Sequence, residues 1–239
     1  MKSSFSVIIP CYNSEKFILG NIKKIRTKLL NQKIFFEIIL VNDGSTDNTL
    51  SEINKLKSNF IKIINLKKNR GKSYAVRQGL KKAKNDFIIL IDCDLPYFAK
   101  FTYILKKLEE GFDFVSVNRR HKDSKIINRH LNLYQKFRLY VGSLIGYIIY
   151  FVLIPKIKTK DTQAGLKGLR NSTKLKKKNF LSNKFFLDVE LFSFFSKKKT
   201  YLVPVKYIMD VNSTIKIFST NSFKIIYEIL IVLIFLRIF

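Results

Sequence analysis

Two aspartates flank a single residue in Asp92-Cys93-Asp94, directly after the apolar run Phe87-Ile88-Ile89-Leu90-Ile91. Paired carboxylates at the mouth of a buried segment are costly unless a cation or hydrogen bonds compensate them. Hard oxygen donors without a neighbouring His or Cys set favour Mg²⁺ or Mn²⁺, ions that hold a diphosphate alongside one or two side chains. Three further clusters accompany the triplet. Asn42-Asp43-Gly44-Ser45-Thr46-Asp47 combines a turn at Gly44 with Ser45 or Thr46 as a cap for a following helix. Asn69-Arg70-Gly71-Lys72 sets cations beside a glycine that lets backbone approach a phosphate. Pro10-Cys11-Tyr12-Asn13-Ser14-Glu15 reads as a strand end passing into a helix start. Each cluster alone also reads as an ordinary turn or basic loop; their order makes them specific.

The elements that position these clusters alternate along the first 118 residues. Ile/Val/Phe-rich runs at 6–10, 35–41, 61–66, 87–91 and 114–117 predict strands buried on both faces. Between them, 15–30, 48–57, 73–84 and 99–109 carry apolar residues at helical spacing, as in Leu50, Ile53 and Leu56. This βαβα order predicts an α/β fold with a mostly parallel sheet flanked by helices. Ligands bind beyond the carboxyl ends of such strands, and all four polar clusters follow strands.

After residue 118 the pattern changes. The stretch 118–138 is basic and contains Arg119, Arg120, Arg129 and Arg138, while 139–155 is uncharged and apolar up to Pro155. At about 1.5 Å per residue this apolar stretch reaches about 25 Å, short of a bilayer core of about 30 Å. The C-terminal 225–239 is apolar except for Glu228 and Arg237. Both segments suit helices lying in a membrane interface with Lys and Arg meeting anionic headgroups, and both also suit buried core helices. The expected organisation is one α/β domain over 1–215, containing an interfacial helix at 139–155, followed by an apolar membrane-associated helix at 216–239.

With 239 residues, 47% of them hydrophobic, the chain is long enough for one substantial core, and a disordered tail or disulfide scaffold is excluded. Two cysteines, Cys11 and Cys93, provide no disulfide framework, and no secretory-type leader precedes Phe5, so a reducing compartment is expected. A formal charge of +28 points to polyanionic partners: phosphorylated ligands, an anionic membrane surface or nucleic acid. Only 9 of the 45 basic residues are Arg, and the abundance of Lys, Asn, Ile and Phe also fits AT-rich coding bias. The lysines are dispersed, zinc-finger spacing is absent and aromatics form no base-stacking motif, so nucleic acid is not the expected partner.

Taken together, Val7-Ile8-Ile9-Pro10 through Glu15, Glu37-Ile38-Ile39-Leu40-Val41 through Asp47, Asn69-Arg70-Gly71-Lys72 and Asp92-Cys93-Asp94 resemble the family 2 glycosyltransferases of the Rossmann-like GT-A fold. The likeness is tight over roughly 5–120 and looser beyond. Asp161-Thr162-Gln163-Ala164-Gly165-Leu166-Lys167 and Phe186-Leu187-Asp188-Val189-Glu190-Leu191 are similar to the polyprenyl-phosphate hexosyltransferase branch, particularly the dolichyl-phosphate β-glucosyltransferase type.

That resemblance implies that Pro10, Tyr12 and Glu15 border the base and ribose, that Asp43 reads the base edge, and that Arg70 and Lys72 lie near the nucleotide. It implies that Asp92 and Asp94 face the diphosphate, with Asp94 the better ligand for Mg²⁺ or Mn²⁺. Pro96 stands where relatives often carry a polar residue, which leaves a third protein ligand in doubt. Gln163 is expected near the hexose, with Asp161 and Thr162. Asp188 and Glu190 lie among aromatics and are expected either to orient the sugar or to pair with a lysine. His121 and His130 read as surface residues.

The implied reaction is inverting transfer of a hexose, glucose from UDP-glucose leading, to polyprenyl or dolichyl phosphate at the cytoplasmic membrane face. A polyprenyl monophosphate, with a second pKa of about 6, needs a cationic seat rather than a strong base. Arg119 and Arg129 are the candidates for that seat, because guanidinium forks match phosphate oxygens. The same fold acting on a lipid-linked glycan is the alternative, and a basic nucleic-acid-binding protein the distant one. Oligomeric state is not legible.

Overall fold

A computed structural model describes residues 3–127, 133–153, 159–208, 227–228 and 230–235. Arg129 and His130 lie outside these residues, as do Pro155 and most of 216–239.

The first half follows the predicted alternation. Strands β1 (Ser4–Cys11), β2 (Phe35–Asn42), β3 (Ile61–Asn65), β4 (Phe87–Ile91) and β5 (Phe114–Asn118) alternate with α1 (Ile18–Asn31), α2 (Thr49–Asn54), α3 (Lys72–Lys82) and α4 (Phe101–Glu109). A 3-10 turn, Phe98–Lys100, leads into α4. There follow β6 (Lys125–Ile127), α5 (Leu133–Leu153), β7 (Leu166–Arg170), α6 (Thr173–Lys177), α7 (Leu187–Phe194), β8 (Thr200–Pro204) and β9 (Lys206–Ile208).

Seven strands form one sheet in the order β3-β2-β1-β4-β7-β5-β8. Its pairings are parallel except for β7, which is antiparallel to both β4 and β5. Successive side chains of a strand point to opposite faces, and two cores result. Val7, Ile9, Ile38, Leu40, Ile89 and Ile91 pack under the apolar faces of α1 and α4. Ile8, Ile39, Val41, Ile88 and Leu90 pack under α3 and α7. This three-layer arrangement explains why the strands read as continuous apolar runs.

Two expected helices are displaced for identifiable reasons. The helix expected from residue 15 begins at Ile18. Residues 13–15 are instead tied to the loop after β2: the Ser14 N–H donates to Thr49 Oγ1 at 2.6 Å and the Glu15 N–H to Asp47 Oδ2 at 3.2 Å. The apolar helix expected at 139–155 spans Leu133–Leu153. Its stripe continues backward through Phe137 and Leu133, and exposed Lys136 does not interrupt it. Ile149 of α5 is buried in the second core, joined there by Val232 and Leu233 of the C-terminal segment. Among the described residues no helix is long and apolar enough to cross a membrane.

Candidate functional site

The carboxyl ends of β1, β2 and β4 bring the predicted clusters to one edge of the sheet. Gly44 adopts φ +64°, and a Cβ there would lie 2.4 Å from the Lys68 carbonyl carbon. The expected turn is therefore real, but the capping assignment is not. Ser45 Oγ donates to Asn42 Oδ1 at 2.5 Å, and Thr46 bonds Asn13, while Asp47 Oδ1 accepts the Thr49 N–H at 2.9 Å. Asp47 thus serves the start of α2, leaving Ser45 and Thr46 to stitch this loop to the one after β1. Glu15 completes the stitch by accepting the Asn48 N–H at 2.9 Å, and Tyr12 stands exposed beside it.

Asp43 is buried, and each of its oxygens accepts a backbone N–H at 2.8 Å, from Arg70 and from Gly71. Burial pushes its carboxyl above the ordinary value, against the opposing pull of those two amides. Asp43 therefore shapes the 70–71 loop. Arg70 lies over the Tyr74 ring, 4.2 Å from its centroid.

Lys72 reaches Asp92 Oδ1 at 2.6 Å. Burial alone would lower the Lys72 pKa, but the carboxylates of Asp92, Asp188 and Asp94 outweigh it and hold the ammonium charged. The Asp92 N–H donates to Gly165 O at 3.0 Å, which fixes the triplet against the loop leading into β7. After exposed Asp94 the chain turns sharply, with positive φ at both Leu95 and Tyr97 on either side of Pro96. Cys93 and Cys11 are packed at the base of this edge, and burial pushes the Cys93 thiol up to about 11, so neither supplies a thiolate nucleophile.

A cleft opens between these strand ends and α7, lined by Pro10, Lys72, Asp92, Gly165, Lys167 and Asp188 among others. Lys167 closes the 161–167 stretch noted in the sequence, where it carries no expected role. It sits mid-sheet, in register with Leu90 and Ser116, only 2% exposed, and its Nζ lies 3.0 Å from Asp188 Oδ1 while also donating to Ala164 O. Asp188 is thus the lysine-paired carboxylate. Glu190 is not: its two oxygens accept the N–H groups of Leu181 and Ser182, both at 2.8 Å.

Arg119, expected to meet a phosphate, is engaged by Asp161. Nη2 and Nε reach Oδ1 and Oδ2 at 2.5 and 2.9 Å, and the Arg119 backbone N–H adds a contact of 2.7 Å. Tyr97 and Tyr207 flank the pair with their rings 6.2 Å apart. Neither tyrosine was singled out from sequence. Arg120 instead docks α5, donating to Lys160 O and Ser143 Oγ, each at 3.1 Å. Gln163 bonds only its neighbour Thr162, at 3.4 Å, among the contacts described.

Among the described residues no group of three or more His, Cys, Asp or Glu could enclose a metal ion. That fits a divalent ion taking one or two carboxylate ligands, with the remainder from a bound diphosphate and water, and does not fit a protein-only cage. Asp94 and Asp92 are the carboxylates that could hold such an ion.

A charged cleft on the carboxyl edge of a doubly covered sheet lies where open α/β folds bind their ligands. The chain belongs to Glycosyl transferase family 2, whose profile matches residues 6–172. It is 30% identical over 184 residues to a dolichyl-phosphate beta-glucosyltransferase of Dictyostelium discoideum, covering 70% of this chain and 54% of that protein. It is also 30% identical over 170 residues to a dolichol-phosphate mannosyltransferase of Pyrococcus furiosus, covering 69% and 46%. The chain thus spans about half the length of these curated relatives. Among solved structures, glucosyl-3-phosphoglycerate synthase from Mycobacterium tuberculosis, in complex with Mn²⁺, UDP and glucosyl-3-phosphoglycerate, shares the fold. Its TM-score is 0.67 at 16% identity, over 98% of this chain and 80% of that one.

Proposed function

We propose that the chain is an inverting hexosyltransferase that moves glucose from UDP-glucose to a polyprenyl phosphate at the cytoplasmic face of a membrane. The observation that carries this reading is the cleft itself, where Asp92, the first carboxylate of the Asp92-Cys93-Asp94 triplet, converges with Lys72 and the Lys167–Asp188 pair at the carboxyl edge of the sheet. The names of the Dictyostelium and Pyrococcus relatives support the lipid acceptor, and the UDP complex of the solved neighbour supports the donor.

In this reading Pro10, Tyr12, Glu15, Asp43 and Arg70 form the nucleoside end of the site. Asp43 acts there chiefly by holding the 70–71 loop. Lys72 faces the diphosphate and shares its charge with Asp92. A Mg²⁺ or Mn²⁺ ion held by Asp94, with Asp92, would supply Lewis-acid neutralisation of the leaving diphosphate. Asp188, immobilised by Lys167, presents a carboxylate that can accept hydrogen bonds from hexose hydroxyls, with Gln163 on the facing loop.

An acceptor phosphate oxygen attacks the anomeric carbon as that carbon's bond to the diphosphate breaks. The electron pair leaves on UDP and the configuration inverts. Because the phosphate is already largely dianionic, no side chain has to remove a proton. Asp161 takes two of the five guanidinium donors of Arg119 and Tyr97 engages the same side chain; what remains exposed of the guanidinium, with Arg129, would seat the acceptor.

The lipid tail is accommodated on the apolar faces. Helix α5 exposes Leu133, Phe137, Tyr140, Leu144, Ile148 and Phe151 on one side, and Tyr227, Leu230 and Ile234 are exposed on the C-terminal helix. With the surplus of lysines, these faces suit an anionic membrane surface.

The test is transfer by the purified protein in anionic vesicles, using polyprenyl phosphate and a panel of labelled UDP- and GDP-hexoses. Labelled polyprenyl-phosphate glucose from UDP-glucose is expected. Transfer to glycan acceptors with no labelled polyprenyl phosphate would reject the assignment.

A further inference from the structure

Glu228 stands in the described helical pair 227–228, inside the apolar C-terminal segment. Its Oε1 accepts from Ser182 Oγ at 2.7 Å, from the Asn183 N–H at 2.6 Å and from the Lys184 N–H at 2.8 Å. Two consecutive amides and a hydroxyl converging on one charged oxygen hold residues 182–184 in a single shape.

The other side of that loop holds the start of α3. Asn183 O and Lys184 O accept the N–H groups of Tyr74 and Ser73, both at 3.0 Å. These amides lie in the first helical turn, where no intrahelical carbonyl is available, and the residue before the helix, Gly71, has no side chain to cap them. The 182–184 loop supplies the cap instead. It sits so close that a Cβ on Gly71 would lie 2.4 Å from Asn183 O. Gly71 in turn donates to Asp43, and Lys72, the next residue, reaches Asp92. A continuous relay therefore runs from Glu228 through the loop to the residues facing the diphosphate. A parallel strand of contacts passes through Ser182 Oγ, which lies 3.1 Å from Ser73 Oγ and accepts the Phe186 N–H at 2.8 Å at the wall of the cleft.

Glu228 Oε2 is buried without a hydrogen-bond partner among the described residues, and a buried acceptor left unsatisfied is destabilising.

We infer that Glu228 is a positioning residue for the nucleotide-diphosphate seat, which makes the C-terminal helix a working part of the donor site as well as a membrane contact. The inference rests on the donor-binding reading of the cleft. Glu228 sets the placement of Gly71 and Lys72 and does not touch the reacting atoms, so its loss should weaken donor binding and leave turnover of bound donor intact.

The experiment is calorimetric titration of the full chain with UDP and Mn²⁺, paired with kcat and KM for UDP-glucose. Glu228→Ala is expected to weaken UDP about tenfold and to raise the donor KM in step, with kcat held within about twofold. Glu228→Gln, which keeps an acceptor oxygen, should recover most of the affinity. Leu233→Ala, a cavity in the same helix, should lower the melting temperature without moving the affinity. If Glu228→Ala does not fold, Glu228→Asp, which withdraws the oxygen by one methylene, takes its place with the same expectation. UDP affinity equal to wild type in Glu228→Ala, or in Glu228→Asp where it takes its place, or an equal loss in Leu233→Ala, overturns the inference. A wild-type chain that binds no UDP overturns the donor-site reading instead.

Discussion

Arg119 and Asp161 form a two-point guanidinium–carboxylate pair that joins the end of β5 to the loop entering β7 across 42 positions of sequence. Burial alone would raise the Asp161 pKa, but Arg119 outweighs it and holds the carboxyl below the usual range. Its folded value thus lies below the unfolded one of about 3.9. The stabilisation is therefore complete above the unfolded value and is lost as pH falls through the folded value. Asp161→Asn should cost about 3 kcal/mol near neutrality, with the gap to wild type closing in acid. Urea midpoints measured from about pH 6 to about pH 2.5 check this; a gap that does not narrow contradicts it.

The Lys72–Asp92 contact predicts a charge-dependent donor site. Asp92, Asp188 and Asp94 outweigh burial and hold the Lys72 pKa above its ordinary value, so donor affinity should show no loss from Lys72 deprotonation up to about pH 9. Lys72→Met should weaken UDP binding by about tenfold or more and flatten its dependence on salt. Titrations at low and high ionic strength provide the check.

The Lys167–Asp188 pair separates stability from recognition. Asp188→Asn leaves Lys167 uncompensated in the sheet and should destabilise the fold by about 3 kcal/mol. Replacing both, as Lys167→Met with Asp188→Leu, should restore much of the stability while leaving hexose transfer impaired. Chemical denaturation and transfer rates on the same preparations distinguish the two effects.

The exposed stripe of α5 predicts lipid binding. Serine at Phe137, Leu144 and Phe151, all exposed, should reduce co-flotation with anionic vesicles and leave UDP binding in detergent unchanged. Undiminished flotation would exclude this stripe as the lipid contact.

The parallel half of the sheet was legible because its strands are covered on both faces and therefore read as short, continuous runs of Ile, Val and Phe. The clustering of Asp43, Lys72 and Asp92 followed from strand order alone. What spacing could not convey was partnership. β7 contains Lys167 and Gly168 in a five-residue strand, a pattern that does not announce a buried strand, and Lys167 is tolerated there because Asp188 arrives from a different element. Arg119 looked like a phosphate ligand by residue type, whereas its partner was a carboxylate far along the chain. Glu228 reads as one of two charges interrupting an apolar segment, and only the tertiary fold shows the three donors that account for it.

In the proposed reading Asp92-Cys93-Asp94 would grip a nucleotide diphosphate through a divalent ion. UDP titrations of the wild type and Asp94→Asn, each with and without Mn²⁺, test it most directly. The account predicts that Mn²⁺ strengthens UDP binding by about tenfold or more in the wild type and has little effect in the variant, whose fold is intact by circular dichroism. The same Mn²⁺-dependent gain in both proteins would contradict it.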